Sequence, residues 1–131
     1  MKKKVAVAIA ILFQPDNHFL LAQRPKDKLY SGYWEFPGGK IEPNETPEKT
    51  VRRELQEELG INLKELSLWQ QLLYQYPHAD VNLHVFKVYE WSGKITNCEG
   101  QLFSWQSLPL TVKPVLPATE LLINQLENTR K

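Results

Sequence analysis

The chain has 131 residues, 42% of them hydrophobic and 24% charged, and its 16 Lys plus Arg against 15 Asp plus Glu leave a net charge of +1. That length suits one domain with a real core, residues 1–131, and is too short for two. The near balance of charge argues against stable binding to nucleic acid, which draws on many uncompensated cations, and leaves room for a small phosphorylated ligand.

Cys98 is the only cysteine, which rules out an internal disulfide and points to a reducing, cytoplasmic setting. The opening MKKKVAVAIAILF imitates an export signal with its basic start and apolar run. That run, Val5–Phe13, spans nine residues, far short of the roughly 20 a membrane helix needs. QPDNHF follows it in place of the small residues of a cleavage site, so neither export nor a membrane role is expected. β-Branched residues alternating with Ala predict instead a buried strand over 4–14. PDNH supplies turn formers, and FLLAQRP returns as a second strand, which predicts a hairpin. KDKLYSGYWEFPGGK reads as loop with a short strand at 34–36. Within it, Pro37-Gly38-Gly39 lets the backbone take a tight path and approach a ligand closely.

NETPEKTVRRELQEELG is a helix, with Thr46 as N-cap, Pro47 at its first position and Gly60 just past its end. Val51, Leu55 and Leu59 form its core stripe. On a wheel of about 100° per residue, Glu54, Glu57 and Glu58 share one face beside that stripe. Like charges so spaced oppose a helix by roughly 0.2–0.5 kcal/mol per pair. Two explanations stand. The face is solvated and paired with arginines, Arg53 reaching Glu57 at i+4; or it holds a hard divalent cation, which takes oxygen ligands and accepts several carboxylates together.

ELSLWQQLLYQYP and DVNLHVFKVYEW then read as two longer strands around a turn at 77–80. A polar loop, SGKITNCEGQ, leads to a short apolar LFSWQSL. PATELLINQLENTRK closes the chain as a helix capped by Thr119, with Leu121, Leu122 and Leu126 at helical spacing. The fold class expected is α/β in the α+β sense, a mixed β-sheet sandwiched between α-helices.

The setting of the glutamates decides between the two explanations. From Gly39 the chain runs Gly, five residues, Glu45, seven residues, Arg53-Glu54-Leu55, one residue, Glu57-Glu58, one residue, Gly60-Ile61. This resembles the signature of the Nudix hydrolase family at every specified position. WEFPGGKIE, the EGQ of the polar loop and LPATE extend the resemblance to the MutT subgroup across essentially the whole chain. It implies a monomeric, Mg2+-dependent hydrolase, with Mn2+ as a substitute metal. Its substrate would be a nucleoside triphosphate, foremost 8-oxo-dGTP, attacked by water at phosphorus to give the monophosphate and pyrophosphate and so clear oxidised precursors.

The same resemblance assigns residues. Gly38 (through its carbonyl), Glu54, Glu57, Glu58 and Glu99 would meet the metal. Glu54 would activate water, with Arg53 and Glu99 completing the catalytic set and Arg53 orienting the carboxylates together with Glu45. Gln23, Arg24, Leu29, Glu35, Phe36, Pro37, Gly38, Lys40, Tyr76 and Thr119 would contact substrate, Lys40 at a phosphate and Phe36 and Tyr76 flanking the base. The pattern departs at Gln23, Leu29, Ala79 and Thr119, all of them nucleotide contacts. At Thr119 a single hydroxyl replaces the subgroup's Asn amide and cannot make the same two-point contact. A pyrimidine triphosphate such as CTP is therefore the second expectation. A third, from another class, is a non-catalytic 8-oxoguanine-reading domain like that of adenine-specific DNA glycosylases, which has no need of intact metal carboxylates.

Overall fold

The computed structural model describes residues 2–129. Its elements in chain order are β1 (Lys3–Leu12), β2 (Phe19–Gln23), β3 (Trp34–Glu35), β4 (Gly38–Lys40), α1 (Pro47–Leu59), β5 (Asn62–Gln75), β6 (Ala79–Ser92), β7 (Phe103–Gln106) and α2 (Pro117–Thr129). The strands form a four-stranded sheet, ordered β4-β1-β6-β5, and a three-stranded sheet, ordered β3-β2-β7. The larger sheet is mixed. β1 runs parallel to β6, from Lys3 opposite Ala79 to Leu12 opposite Val88, and antiparallel to β4. None of the helices among the described residues is long and apolar enough to cross a membrane.

β1 organises two cores because successive side chains of a strand leave on opposite faces. Ile9, Ile11 and Phe13 pack with Leu83 and Val85 under Leu122, Ile123 and Leu126 of α2. Ala8, Ala10 and Leu12 pack with Phe86 and Val88 under Val51, Leu55 and Leu59 of α1. The sheet is thus sandwiched between the helices as expected, and the small Ala8 and Ala10 lie beneath α1. That helix begins and ends where its sequence says. The Lys49 N–H donates to the Thr46 hydroxyl at 3.2 Å, and Gly60 adopts a left-handed φ of 69°.

Three expectations need correction. β1 and β2 do not pair as a hairpin. Both edges of β1 are already occupied, by β4 and β6, so β2 joins the other sheet, and the two segments meet through an isolated bridge at Phe13 and Phe19 and a hydrogen bond from the Gln14 N–H to the His18 carbonyl. PGGK is not simply loop, since Gly38–Lys40 pairs with Val7–Ile9 as an edge strand. Thr119 does not cap α2. Pro117 starts the helix earlier, where its fixed φ suits the first position, and Thr119 lies inside the helix with 4% of its surface exposed. The early amide of Ala118 donates instead to the Tyr76 hydroxyl at 3.3 Å. Leu121 points outward, and residues 130 and 131 of the expected helix lie outside the described residues.

Gly38 lies against β1 so closely that a Cβ there would come 2.2 Å from the Ala8 carbonyl oxygen and 2.7 Å from Ile9 Cα, with φ at +150°. Both obstacles are backbone and cannot swing aside. Gly38→Ala is expected to cost at least about 2 kcal/mol in urea denaturation; a loss below about 0.5 kcal/mol would show that β4 does not sit this tightly on β1.

Candidate active site on the acidic face of α1

The stripe of Val51, Leu55 and Leu59 fixes the roll of α1 on the sheet, and that roll sets Glu54 toward β4. A Cβ on Gly39 would lie 2.4 Å from the carboxyl carbon of Glu54. Gly39 therefore carries no side chain because the Glu54 carboxylate occupies that space. Glu58, one turn on, is buried, with 8% of its surface exposed. Glu57 stands at the rim, half exposed.

Arg53 joins these groups to β4. Its Nε and Nη2 donate to Glu45 Oε2 and Oε1 at 2.7 and 3.0 Å, a two-pronged pair. Its Nη1 donates to Glu54 Oε2 at 3.0 Å and to Glu57 Oε1 at 3.3 Å, and its Nη2 reaches the Lys40 carbonyl at 3.3 Å. Hydrogen bonds from Arg53, from the Glu42 N–H and from the Thr50 hydroxyl hold the Glu45 carboxyl down at about 2. Arg52 takes no part; it pairs with Glu48 and donates to the Leu63 carbonyl.

Glu58 lies at the other extreme. Burial pushes its carboxyl up to about 9, helped by repulsion from Glu54, Glu99 and Glu35 and by a hydrogen bond shared with Glu54. Its Oε2 has no hydrogen-bond partner among the described residues. The loop carrying Glu99 is tied to the end of α1, where backbone carbonyls lack helical partners. There the Thr96 N–H donates to the Leu59 carbonyl at 2.9 Å and the Cys98 N–H to the Glu58 carbonyl at 3.1 Å. Glu99 is thereby delivered to the acidic cluster, exposed at its edge.

An orphaned carboxylate oxygen among mutually repelling carboxylates fits a hard divalent cation, whose charge would turn that repulsion into attraction. Among the described residues, no three acidic, His or Cys side chains already close into a finished cage. An open set suits a cation that keeps its waters and takes further oxygens from a phosphate.

The remaining residues singled out in the sequence divide into groups. Arg24 donates through Nη1 to both oxygens of Glu35, at 3.1 and 3.2 Å, and through Nε to the Leu29 carbonyl at 2.8 Å. Burial raises the Glu35 carboxyl against the pull of Arg24 and Lys28. The Leu29 side chain is exposed, at 58%. Gln23 donates to the Gly32 carbonyl, holding the same loop, and the Pro37 carbonyl accepts from Ala10. Lys40 is exposed on β4.

Phe36 is 2% exposed and meets Phe19 edge-on inside the α2-side core. Tyr76 is also buried there, its hydroxyl pushed up to about 12 by desolvation. Around Tyr76 gather Tyr30, Tyr74 and His78, with ring centroids 5.6, 4.6 and 5.5 Å away. Sequence reasoning did not single out Tyr30 or Tyr74, because residues from a loop and a distant strand share no spacing. Ala79 is buried at the start of β6.

Glu58 also dictates a pH dependence. Its folded value, about 9, lies above the usual 4.5, so its contribution to stability is full below pH ~4.5 and is lost as pH rises toward ~9. Glu58→Gln removes that slope. In chelator, its Tm should match wild type near pH 5 and exceed it by about 3 °C or more at pH 8.5. Parallel Tm curves across that range would contradict the burial of this charge.

Against known proteins, residues 2–123 match the NUDIX domain. The 8-oxo-dGTP diphosphatase of Escherichia coli (strain K12) is 39% identical over 126 residues, covering 95% of this chain and 98% of the relative. The CTP pyrophosphohydrolase of the same strain is 33% identical over 116 residues, covering 88% and 86%. Among solved structures, a MutT NUDIX hydrolase from Burkholderia pseudomallei superimposes with a TM-score of 0.86 at 26% identity, over 95% of this chain and 99% of that one.

Proposed function

The chain belongs to the NUDIX domain family, and on that premise we propose that it hydrolyses 8-oxo-dGTP to 8-oxo-dGMP and pyrophosphate. The observation that carries the reading is the Arg53 bridge, which gathers Glu45, Glu54 and Glu57 beside the Gly38–Gly39 backbone next to the unpartnered oxygen of Glu58. The 39% identity to an 8-oxo-dGTP diphosphatase over 95% of the chain supports the substrate.

Glu54, Glu57, Glu58 and the Gly38 carbonyl would hold Mg2+, for which Mn2+ can substitute, with Glu99 approaching from its loop. When bound, such an ion lowers the pKa of coordinated water and offsets charge developing on phosphate. Glu54 is the group that takes the proton of the attacking water, since Arg53 Nη1 donates to its Oε2 and orients it at the wall of β4. Attack at the β phosphorus breaks the α–β bridge; the monophosphate departs and the water oxygen stays with pyrophosphate. Exposed Lys40, on the same strand as Gly39, would neutralise a phosphate oxygen. The substrate is a free nucleotide, in keeping with a net charge of +1.

Thr119 favours a second reading. Buried and without an amide, it cannot make the two-point purine contact. A 33% identical relative acts on CTP, which makes pyrimidine triphosphates the competing substrates.

Glu54→Gln should lower kcat by at least about 100-fold with KM little changed; near-normal turnover would remove Glu54 from proton transfer. The ranking of kcat/KM for 8-oxo-dGTP, dGTP, dCTP and CTP tests the base. 8-Oxo-dGTP should lead by at least about 10-fold, and a lead for either pyrimidine would replace the substrate while sparing the chemistry.

A further inference from the structure

We infer that the Thr50 hydroxyl is a positioning residue for Glu54, acting through Glu45 and Arg53. The inference rests on the reading that Glu54 serves turnover. Thr50 is 0% exposed, beneath the acidic face of α1. A buried hydroxyl inside a helix ordinarily bonds back to the carbonyl four residues earlier. That option is open here, with the Thr46 carbonyl at 3.2 Å, yet the shorter contact, 2.8 Å, runs to Glu45 Oε1. A hydroxyl has one proton to give, and a carboxylate is the stronger acceptor.

The bond matters because of what else converges on Glu45. Its carboxylate accepts from the Glu42 N–H at 3.0 Å, from Thr50 at 2.8 Å, and from Arg53 Nε and Nη2 at 2.7 and 3.0 Å. Glu42 lies on the exposed connecting segment, so Thr50 is the donor that reaches Glu45 from the packed interior of α1. Arg53 in turn has Nη1 engaged by Glu54 and Glu57 and Nη2 by the Lys40 carbonyl. Any rotation of the Glu45 carboxylate therefore swings the guanidinium that holds Glu54. Valine matches threonine in shape and keeps the buried packing, but supplies no donor. Serine restores the donor without the methyl group.

The test compares wild type, Thr50→Val and Thr50→Ser in two measurements. In metal-free protein, hydrogen exchange of the Arg53 Nε–H, followed by NMR, reports the rigidity of the Glu45–Arg53 pair without any substrate. Thr50→Val should speed that exchange by at least ~10-fold. With Mg2+ and 8-oxo-dGTP, it should lower kcat about 10-fold while KM stays within about twofold. Thr50→Ser should return both quantities to within about twofold of wild type. The proposal is overturned if Thr50→Val leaves either quantity at the wild-type value, whatever happens to Tm, or if Thr50→Ser fails to restore them. Because the exchange is read without nucleotide, it reports on Thr50 even where the substrate reading fails.

Discussion

Everything at this site depends on the two-pronged ion pair between Arg53 and Glu45. Without it, Glu54 and Glu57 would lose the guanidinium that holds them on one face of α1. Arg53 spends two donors on Glu45, which fixes the plane of the guanidinium, and the remaining directions then reach Glu54, Glu57 and the Lys40 carbonyl of β4. Its side chain is partly buried, and such fork-on-fork geometry gains more from direction than a single contact between exposed charges does. Glu58 lies outside this arrangement. It is buried, and that burial together with its acidic neighbours pushes its carboxyl up.

The fold serves this arrangement by bringing α1 close to the sheet. Ala8 and Ala10 lie under Val51, Leu55 and Leu59, and Gly38 and Gly39 keep β4 free of side chains where it passes β1 and Glu54. Two adjacent glycines thus answer two different neighbours. Gly38 is required by the backbone of β1, and Gly39 by the carboxylate of α1.

α1 could be read residue by residue, from cap to stripe to acidic face, because each of those features is local: a period, a spacing or a terminal residue. The signature from Gly39 to Ile61 is just as local, so a candidate site on the helix could be named from the sequence alone. What lay beyond the sequence were choices settled by distant partners. β2 could not pair with β1 because two other strands had taken its edges. Thr119 looked like a cap until Pro117 and the Tyr76 hydroxyl, 42 residues from the amide it receives, made one unnecessary. The burial of Glu58 could be foreseen only as a position at the border of the core, and Thr50 carried no signal, since a threonine in a first helical turn usually bonds to its own backbone.

The central claim is that these carboxylates form a cation site prepared by the Arg53 network. Hydrolysis of a nucleoside triphosphate, measured after exhaustive chelation and again as Mg2+ is returned in steps, tests it most directly. The account predicts no turnover in excess chelator and full recovery on addition of Mg2+. Turnover that persists in chelator would contradict it.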